Sequence, residues 1–201
     1  QADVVITNPP FSLFREYIAQ LMEYDKKFIV IGNQNAITYK EIFPLLKNNK
    51  MWIGYHFGDM SFTVPQYYEP RETRFWVDET GQKWRSMGNV CWYTNLDIPK
   101  RHEELELYKK YSSVEFPEYD NYKAINVDKV ADIPYDFYGV MGVPITFLDK
   151  FNPSQFDLLG IMNTGEENPG IRLPNTPHGR PIVKGKEKYL RVLIRRKQNG
   201  N

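Results

Sequence analysis

The sequence predicts an α/β fold in which parallel strands end in an antiparallel pair, followed by an irregular α+β C-terminal region. Three observations carry this. The apolar runs Val4-Val5-Ile6 and Lys27-Phe28-Ile29-Val30-Ile31-Gly32 bracket one amphipathic segment, the spacing of a βαβ unit and hence of a parallel sheet. Met51-Trp52-Ile53-Gly54-Tyr55 and Gly88-Asn89-Val90-Cys91-Trp92-Tyr93-Thr94-Asn95-Leu96 read as two more strands with no helical pattern between them, so they can run antiparallel. Beyond residue 98, Tyr, Asp, Asn and Pro replace the regular periodicity.

The first run is expected to be a buried strand, because three β-branched residues in succession suit a strand covered on both faces. Asn8-Pro9-Pro10 must stop it, since neither proline can donate to a ladder and each biases its predecessor to extended geometry. Ser12 is placed to cap a helix over residues 13–24, with Leu13, Phe14, Tyr17, Ile18, Leu21 and Met22 forming its apolar stripe. After the second strand, Gly32-Asn33-Gln34-Asn35 falls at the same sheet edge as Asn8, so Asn33 is a candidate for lining a crevice there. Tyr39–Lys47 reads as a second helix, opened by a Thr38/Glu41 capping box and shortened or kinked by Pro44. Residues 59–87 read as a long loop insertion with a hairpin, Arg74–Val77 and Gln82–Arg85 around Glu79-Thr80-Gly81.

In the C-terminal half, Pro99–Tyr111 is expected to be a charged, exposed helix and residues 112–140 mostly irregular. Val143–Leu148 and Phe156–Met162 should be packed, and residues 163–181, dense in Gly, Pro and Asn, should form a mobile loop. From Lys184 to Lys197 seven basic residues stand against one acid, and the alternation around Leu190, Val192 and Ile194 suggests a strand with one basic face.

The chemistry concentrates at the first turn. A backbone stiffened by Pro9 and Pro10 offers a carbonyl that no neighbouring strand uses, and Asn8 adds a side-chain carbonyl beside it. Two acceptors on a rigid support, with the aromatic face of Phe11, suit a planar base bearing an exocyclic amine, whose nitrogen lone pair is left aimed at an electrophile. Composition narrows the classes further. A net charge of +1 confines any nucleic-acid footprint to local patches. One cysteine excludes an internal disulfide framework and fits a reducing, cytoplasmic setting. The dispersed His56, His102 and His178 make no metal-ligand spacing, so no metal is expected. No apolar run is long enough for a membrane span, and no signal peptide is legible. The chain opens on Gln1 beside a core strand, as a piece of a longer protein would.

Two parallel βα units that end in an antiparallel pair resemble the second half of the Rossmann-like sheet of S-adenosylmethionine-dependent methyltransferases. With Asn8-Pro9-Pro10-Phe11 closing the first strand, the chain resembles the EcoRI-type adenine-specific (N6) DNA methyltransferase family. The likeness extends over Asp3 to Tyr17, Ile31-Gly32-Asn33, Ala36 to Ile42, Asn89 to Leu96, Gly142 to Leu148 and Tyr189 to Ile194. It implies that Asn8 and the Pro9 carbonyl hold the adenine amino group, that Pro10 stiffens the turn, and that Phe11 stacks on a flipped-out base. It also implies direct methyl transfer from S-adenosyl-L-methionine, duplex DNA as partner, and a bacterial restriction-modification setting. The chain departs from the family in lacking any Phe-x-Gly-x-Gly turn for the cofactor: Gly139 and Gly142 are spaced wrongly. The cofactor half is therefore expected upstream of Gln1, in the missing N-terminal half of the same protein, and the chain alone should be inactive.

Residues 1–98 are thus read as the second half of a catalytic domain with a hairpin inserted near 62–88, and residues 99–201 as a target-recognition region. DNA contact is expected from the hairpin cations Arg71, Arg74, Lys83 and Arg85, interleaved with Phe75, Trp76 and Trp84. The basic tail (Arg191, Arg195, Arg196, Lys197) is the weaker candidate. Other readings of the same residues are a methyltransferase acting on RNA adenine or protein glutamine, and a non-catalytic DNA-binding or specificity protein.

Overall fold

The computed structural model describes residues 2–162, 173 and 179–198. They form two compact units, one from residues 1–36 and 53–95, the other from 37–52 and 96–201.

The first unit is built on a mixed sheet. Strand β1 (Val4–Thr7) leads through a single 3-10 turn, Phe11–Leu13, into helix α1 (Phe14–Glu23), which returns the chain to β2 (Lys27–Asn33). β1 and β2 are parallel, with Thr7 level with Val30. The long strands β3 (Trp52–Thr63) and β5 (Lys83–Thr94) complete the order β1-β2-β5-β3, and the short β4 (Phe75–Val77) pairs on β5. β5 runs antiparallel to β2. The sheet therefore combines a parallel pair with antiparallel strands, as expected of an α/β chain.

Four expectations for this unit need correction. β1 is a strand but not a buried one: Val4 is 41% and Ile6 68% exposed. A β-branched run marks extended backbone, whereas its burial depends on its place in the sheet, and β1 lies at the end of the strand order. Ser12 caps nothing. It sits inside the 3-10 turn, and Leu13 takes the N-cap position of α1 without a side-chain bond. The apolar stripe is narrower as well, with Phe14, Ile18 and Leu21 buried but Leu13 exposed. Finally, both ends of the expected insertion are strand rather than loop, because β3 and β5 each run for 12 residues and extend into it. Only the connection between Thr63 and Phe75 and the hairpin turn itself lie outside strands.

The helix is held on the sheet by a close contact. Phe14 and Tyr93, both essentially inaccessible, meet with ring centroids 5.0 Å apart over Gly32 of β2. A Cβ at Gly32 would stand 2.5 Å from Cε2 of Phe14 and 2.9 Å from Cε2 of Tyr93. Only glycine lets the rings approach this closely. Gly32→Ala should cost about 1–3 kcal/mol of stability in denaturant unfolding, by overpacking. An unchanged midpoint would show that the rings move aside freely. At the far end of β2, Asn95 accepts from Phe28 N (2.9 Å) and donates to Lys26 O (2.9 Å), while Thr94 Oγ1 donates to Phe28 O (2.7 Å), which fixes the register of β5.

The second unit holds helix α2 (Phe43–Lys47) and a sheet of order β6-β7-β8-β12-β9. Its strands are β6 (Glu118–Tyr119), β7 (Tyr122–Asn126), β8 (Val140–Pro144), β9 (Phe156–Met162) and β12 (Arg191–Arg196), with β10 (Ile182–Val183) and β11 (Lys186–Glu187) forming a separate hairpin. α2 begins later than expected. Pro44 occupies its first turn, where a missing N–H costs nothing, and Ile42 is the N-cap in place of the Thr38/Glu41 box. The helix expected over Pro99–Tyr111 is one 3-10 turn, Pro99–His102, followed by extended chain. That strap is tied by side chains far away in sequence. Asn152 Nδ2 donates to His102 O and Glu103 O (both 3.2 Å), and Gln155 exchanges two bonds with the Leu105 backbone (2.9 and 2.8 Å). Residues 112–140 also hold more order than their composition suggests, since β7 is central enough to bury Ala124, Ile125 and Asn126.

The tail is a strand, yet its basic face is spoken for. Arg191 is 7% exposed and pairs with Asp128 at 2.8 Å. Arg195 and Lys197 pair with Asp157 at 3.2 and 3.6 Å, and Arg196 donates to Tyr135 O. Burial works against the Asp128 carboxylate, but hydrogen bonds from Asn126, Lys188 and Arg191 hold its pKa below the ordinary range. Of the loop expected over 163–181, all but residues 173 and 179–181 lie outside the described residues. Among the described residues, no helix is long and apolar enough to cross a membrane.

Candidate functional site

The Asn8-Pro9-Pro10-Phe11 turn leaves the carboxyl end of β1. Pro9 is buried, Phe11 half-buried, and Asn8 exposed. Pro10 has φ −54° and ψ 128°, and its carbonyl accepts from Leu13 N at 2.9 Å, which locks the turn against α1. Neither the Asn8 side chain nor the Pro9 carbonyl has a hydrogen-bond partner among the described residues. The turn thus presents two acceptors from a backbone with little freedom.

Register places the neighbours. Thr7 is level with Val30, so Asn8 follows at the level of Ile31, and β2 continues to Asn33 at the same sheet edge. Asn33 is braced there: its carbonyl accepts from Tyr93 Oη (2.9 Å) and its Oδ1 from Asn35 N (2.8 Å). Asn33 is in turn opposite Val90 of β5. Residues 83–89 therefore run on past the end of β2, on the side where Asn8 lies. This arm carries the hairpin.

The arm is rigid for identifiable reasons. Trp76 and Trp84 stack across β4 and β5 at 6.1 Å and 4°. The turn is organised by Asp78, whose Oδ1 accepts from Thr80 Oγ1 (2.7 Å), Thr80 N (2.9 Å) and Gln82 N (3.0 Å), and whose Oδ2 accepts from Trp84 Nε1 (2.7 Å). The Thr80 hydroxyl first, then the Trp84 indole, lower the Asp78 pKa to about 2. A depressed carboxylate pKa means that its support is fully present above the ordinary carboxylate value and fades as pH falls toward 2. A carbon-13 titration of the Asp78 carboxyl should have its midpoint near pH 2; a midpoint in the ordinary Asp range would contradict this network.

The four hairpin cations occupy different situations. Arg71 is exposed. Arg74 pairs with Asp59 at 3.1 Å. Lys83 spends its ammonium on Gln66 O (2.5 Å) and Tyr68 O (3.0 Å), tying down the connection after β3. Arg85 is half-buried, and its Nη1 has no hydrogen-bond partner among the described residues. Sequence reasoning missed Asp59 and Asp78. The Asp-x-Thr-Gly turn was a usable signal for Asp78; nothing local marks Asp59, 15 residues from Arg74. Among the described residues, no group of three or more His, Cys, Asp or Glu could hold a metal ion.

Comparison with known proteins follows the same residues. The family described as "Adenine-specific methyltransferase EcoRI" matches residues 1–197. Type II methyltransferase M.EcoRI of Escherichia coli is 48% identical over 202 residues, covering 98% of this chain and 59% of the relative. Type II methyltransferase M.MpnI of Mycoplasma pneumoniae is 38% identical over 213 residues, covering 99% and 66%, and M.MgeORF184P of Mycoplasma genitalium is 38% identical over 211 residues, covering 98% and 66%. The chain spans roughly three-fifths to two-thirds of the length of these relatives. No solved structure matches it. A match across nearly the whole chain, on residues that include the Asn8–Phe11 turn, shows that the chain belongs to the EcoRI-type adenine-specific methyltransferase family.

Proposed function

We propose that this chain is the substrate half of a restriction-modification methyltransferase that transfers a methyl group from S-adenosyl-L-methionine to adenine N6 in duplex DNA. The observation that carries the reading is the pair of unpartnered acceptors, Asn8 and the Pro9 carbonyl, at the carboxyl end of β1, with a basic, aromatic arm extending past the same sheet edge. The acceptors take the two N–H bonds of a flipped-out adenine, Phe11 stacks on its ring, and the arm contacts the duplex through Arg71, Arg74 and Arg85, while Lys83, expected from the sequence to do the same, braces the arm from within. The β1-β2-β5-β3 order supports the sheet being half of a Rossmann-like methyltransferase sheet. Residues 99–201 supply target recognition, as large base-reading elements require.

The residues present do not fit the methyl donor. No glycine-rich turn follows β1 or β2, and the one glycine at the end of β2, Gly32, is closed over by the rings of Phe14 and Tyr93. The donor's cradle is therefore assigned to the part of the relatives' length that this chain does not span, with Asn33 at most lining the crevice. Two measurements test the reading. The complete gene product, supplied with labelled S-adenosylmethionine, should yield N6-methyladenine in duplex DNA; label in RNA or in protein glutamine instead would overturn it. The isolated chain should show no micromolar binding of S-adenosylmethionine by calorimetry.

A further inference from the structure

Arg74 is held more closely than an ordinary surface arginine. Its backbone is in the left-handed region, at φ 55°. Its carbonyl accepts from Ser86 N at 3.0 Å, which places it beside β5 four residues past Val90, roughly 13 Å along the strand beyond the end of β2. Its Nη1 donates to Asp59 Oδ1 at 3.1 Å. Its guanidinium lies against Gly88, where a Cβ would stand 1.6 Å from Nη1 and 2.2 Å from Cζ and Nη2. The ion pair is solvent-facing on both sides, 45% and 67% exposed, so it is weak and exchangeable.

We propose that Asp59 and Gly88 form a cradle that presents Arg74 to a DNA backbone phosphate, with Asp59 as the intramolecular stand-in that the phosphate displaces. The inference rests on the DNA reading above and adds to it a positioning residue, Gly88, and an intramolecular competitor, Asp59. A guanidinium seated in the space that Gly88 leaves open has already lost much of its rotamer freedom, so a phosphate that displaces Asp59 meets a preorganised planar fork. A carboxylate that is exposed and monodentate here gives way to a backbone phosphate whose two non-bridging oxygens take two N–H bonds of the fork.

The test is duplex-oligonucleotide binding by the complete gene product as a function of salt. Arg74→Ala should reduce the slope of log K against log salt by about 0.9, the loss of one phosphate contact, and weaken binding about three- to tenfold at 0.1 M salt. Gly88→Ala is the sharper variant. The three atoms nearest the added methyl all belong to the flexible far end of the Arg74 side chain, so the melting temperature should stay within about 2 °C while binding falls as it does in Arg74→Ala. Asp59→Asn should tighten binding about threefold in the wild-type background and leave Arg74→Ala unchanged. Equal tightening in both backgrounds means that Asp59 acts only through net charge, and overturns the cradle. So does Gly88→Ala binding like wild type. If the wild-type protein fails to bind duplex DNA at all, the underlying DNA reading falls with it.

Discussion

Asn8→Ala should lower kcat for adenine methylation about 10²–10³-fold while leaving S-adenosylmethionine affinity and folding unchanged. As N6 takes up a methyl group it moves toward a tetrahedral ammonium, and its N–H bonds become stronger donors. Acceptors fixed at Asn8 Oδ1 and Pro9 O are therefore worth more in the transition state than in the bound substrate, so the loss falls on kcat more than on KM. Asn8 is exposed and its side chain bonds to nothing else described, so its truncation leaves the packing intact. Asn8→Asp keeps an acceptor at similar reach and should retain much more activity than Asn8→Ala. Equal activity of Asn8→Ala and wild type would remove Asn8 from the site.

How much of this was legible in the residues depends on the range over which each signal acts. Local signals served well. The β-branched run, the paired prolines and the apolar stripe from Leu13 to Met22 located β1, the turn and α1, because each acts through its own backbone or the adjacent turn. The hairpin around Gly81 was legible for the same reason: Gly81, at φ 81°, and Asp78 set the turn within four residues. Signals failed where a partner lay far along the chain. Charged residues at helical spacing over 99–111 suggested a helix, but they offer no apolar stripe to bury, and Asn152 and Gln155, about 50 residues away, hold the segment extended. Arg191 looked like part of a basic face because its alternation fitted a half-exposed strand. Its partner Asp128 lies 63 residues earlier, and no pattern local to the tail reveals it. The site itself divides the same way. In the proposed site, Asn8 to Phe11 is a local motif that the residues alone single out, whereas Asp59, Gly88 and the brace behind the motif are brought together by sheet register.

That brace sets the largest expected stability effect. Phe14 is 1% exposed, opens α1, and follows the motif by only three residues, so it links the turn to the sheet. Phe14→Ala should cost about 3–5 kcal/mol, the transfer free energy of a buried ring plus the cavity it leaves. The surroundings are poorly placed to collapse. Tyr93 is fixed by its hydroxyl bond to Asn33 O, and Gly32 has no side chain with which to fill the space. Phe14→Leu keeps most of the volume and should cost far less. Denaturant unfolding of the chain gives the comparison directly, and a Phe14→Ala loss under about 1 kcal/mol would show that α1 is held by Ile18 and Leu21 alone. The same contact ties stability to catalysis. With its first helical residue no longer seated on Gly32, the turn loses the support behind Pro10, and the two acceptors lose the fixed spacing that the amino group requires. Phe14→Ala protein that remains folded should therefore show a lower kcat with little change in donor affinity, the split seen for Asn8→Ala but smaller. A helix seat that touches no substrate would in this way govern the geometry of the two acceptors proposed to hold the amino group.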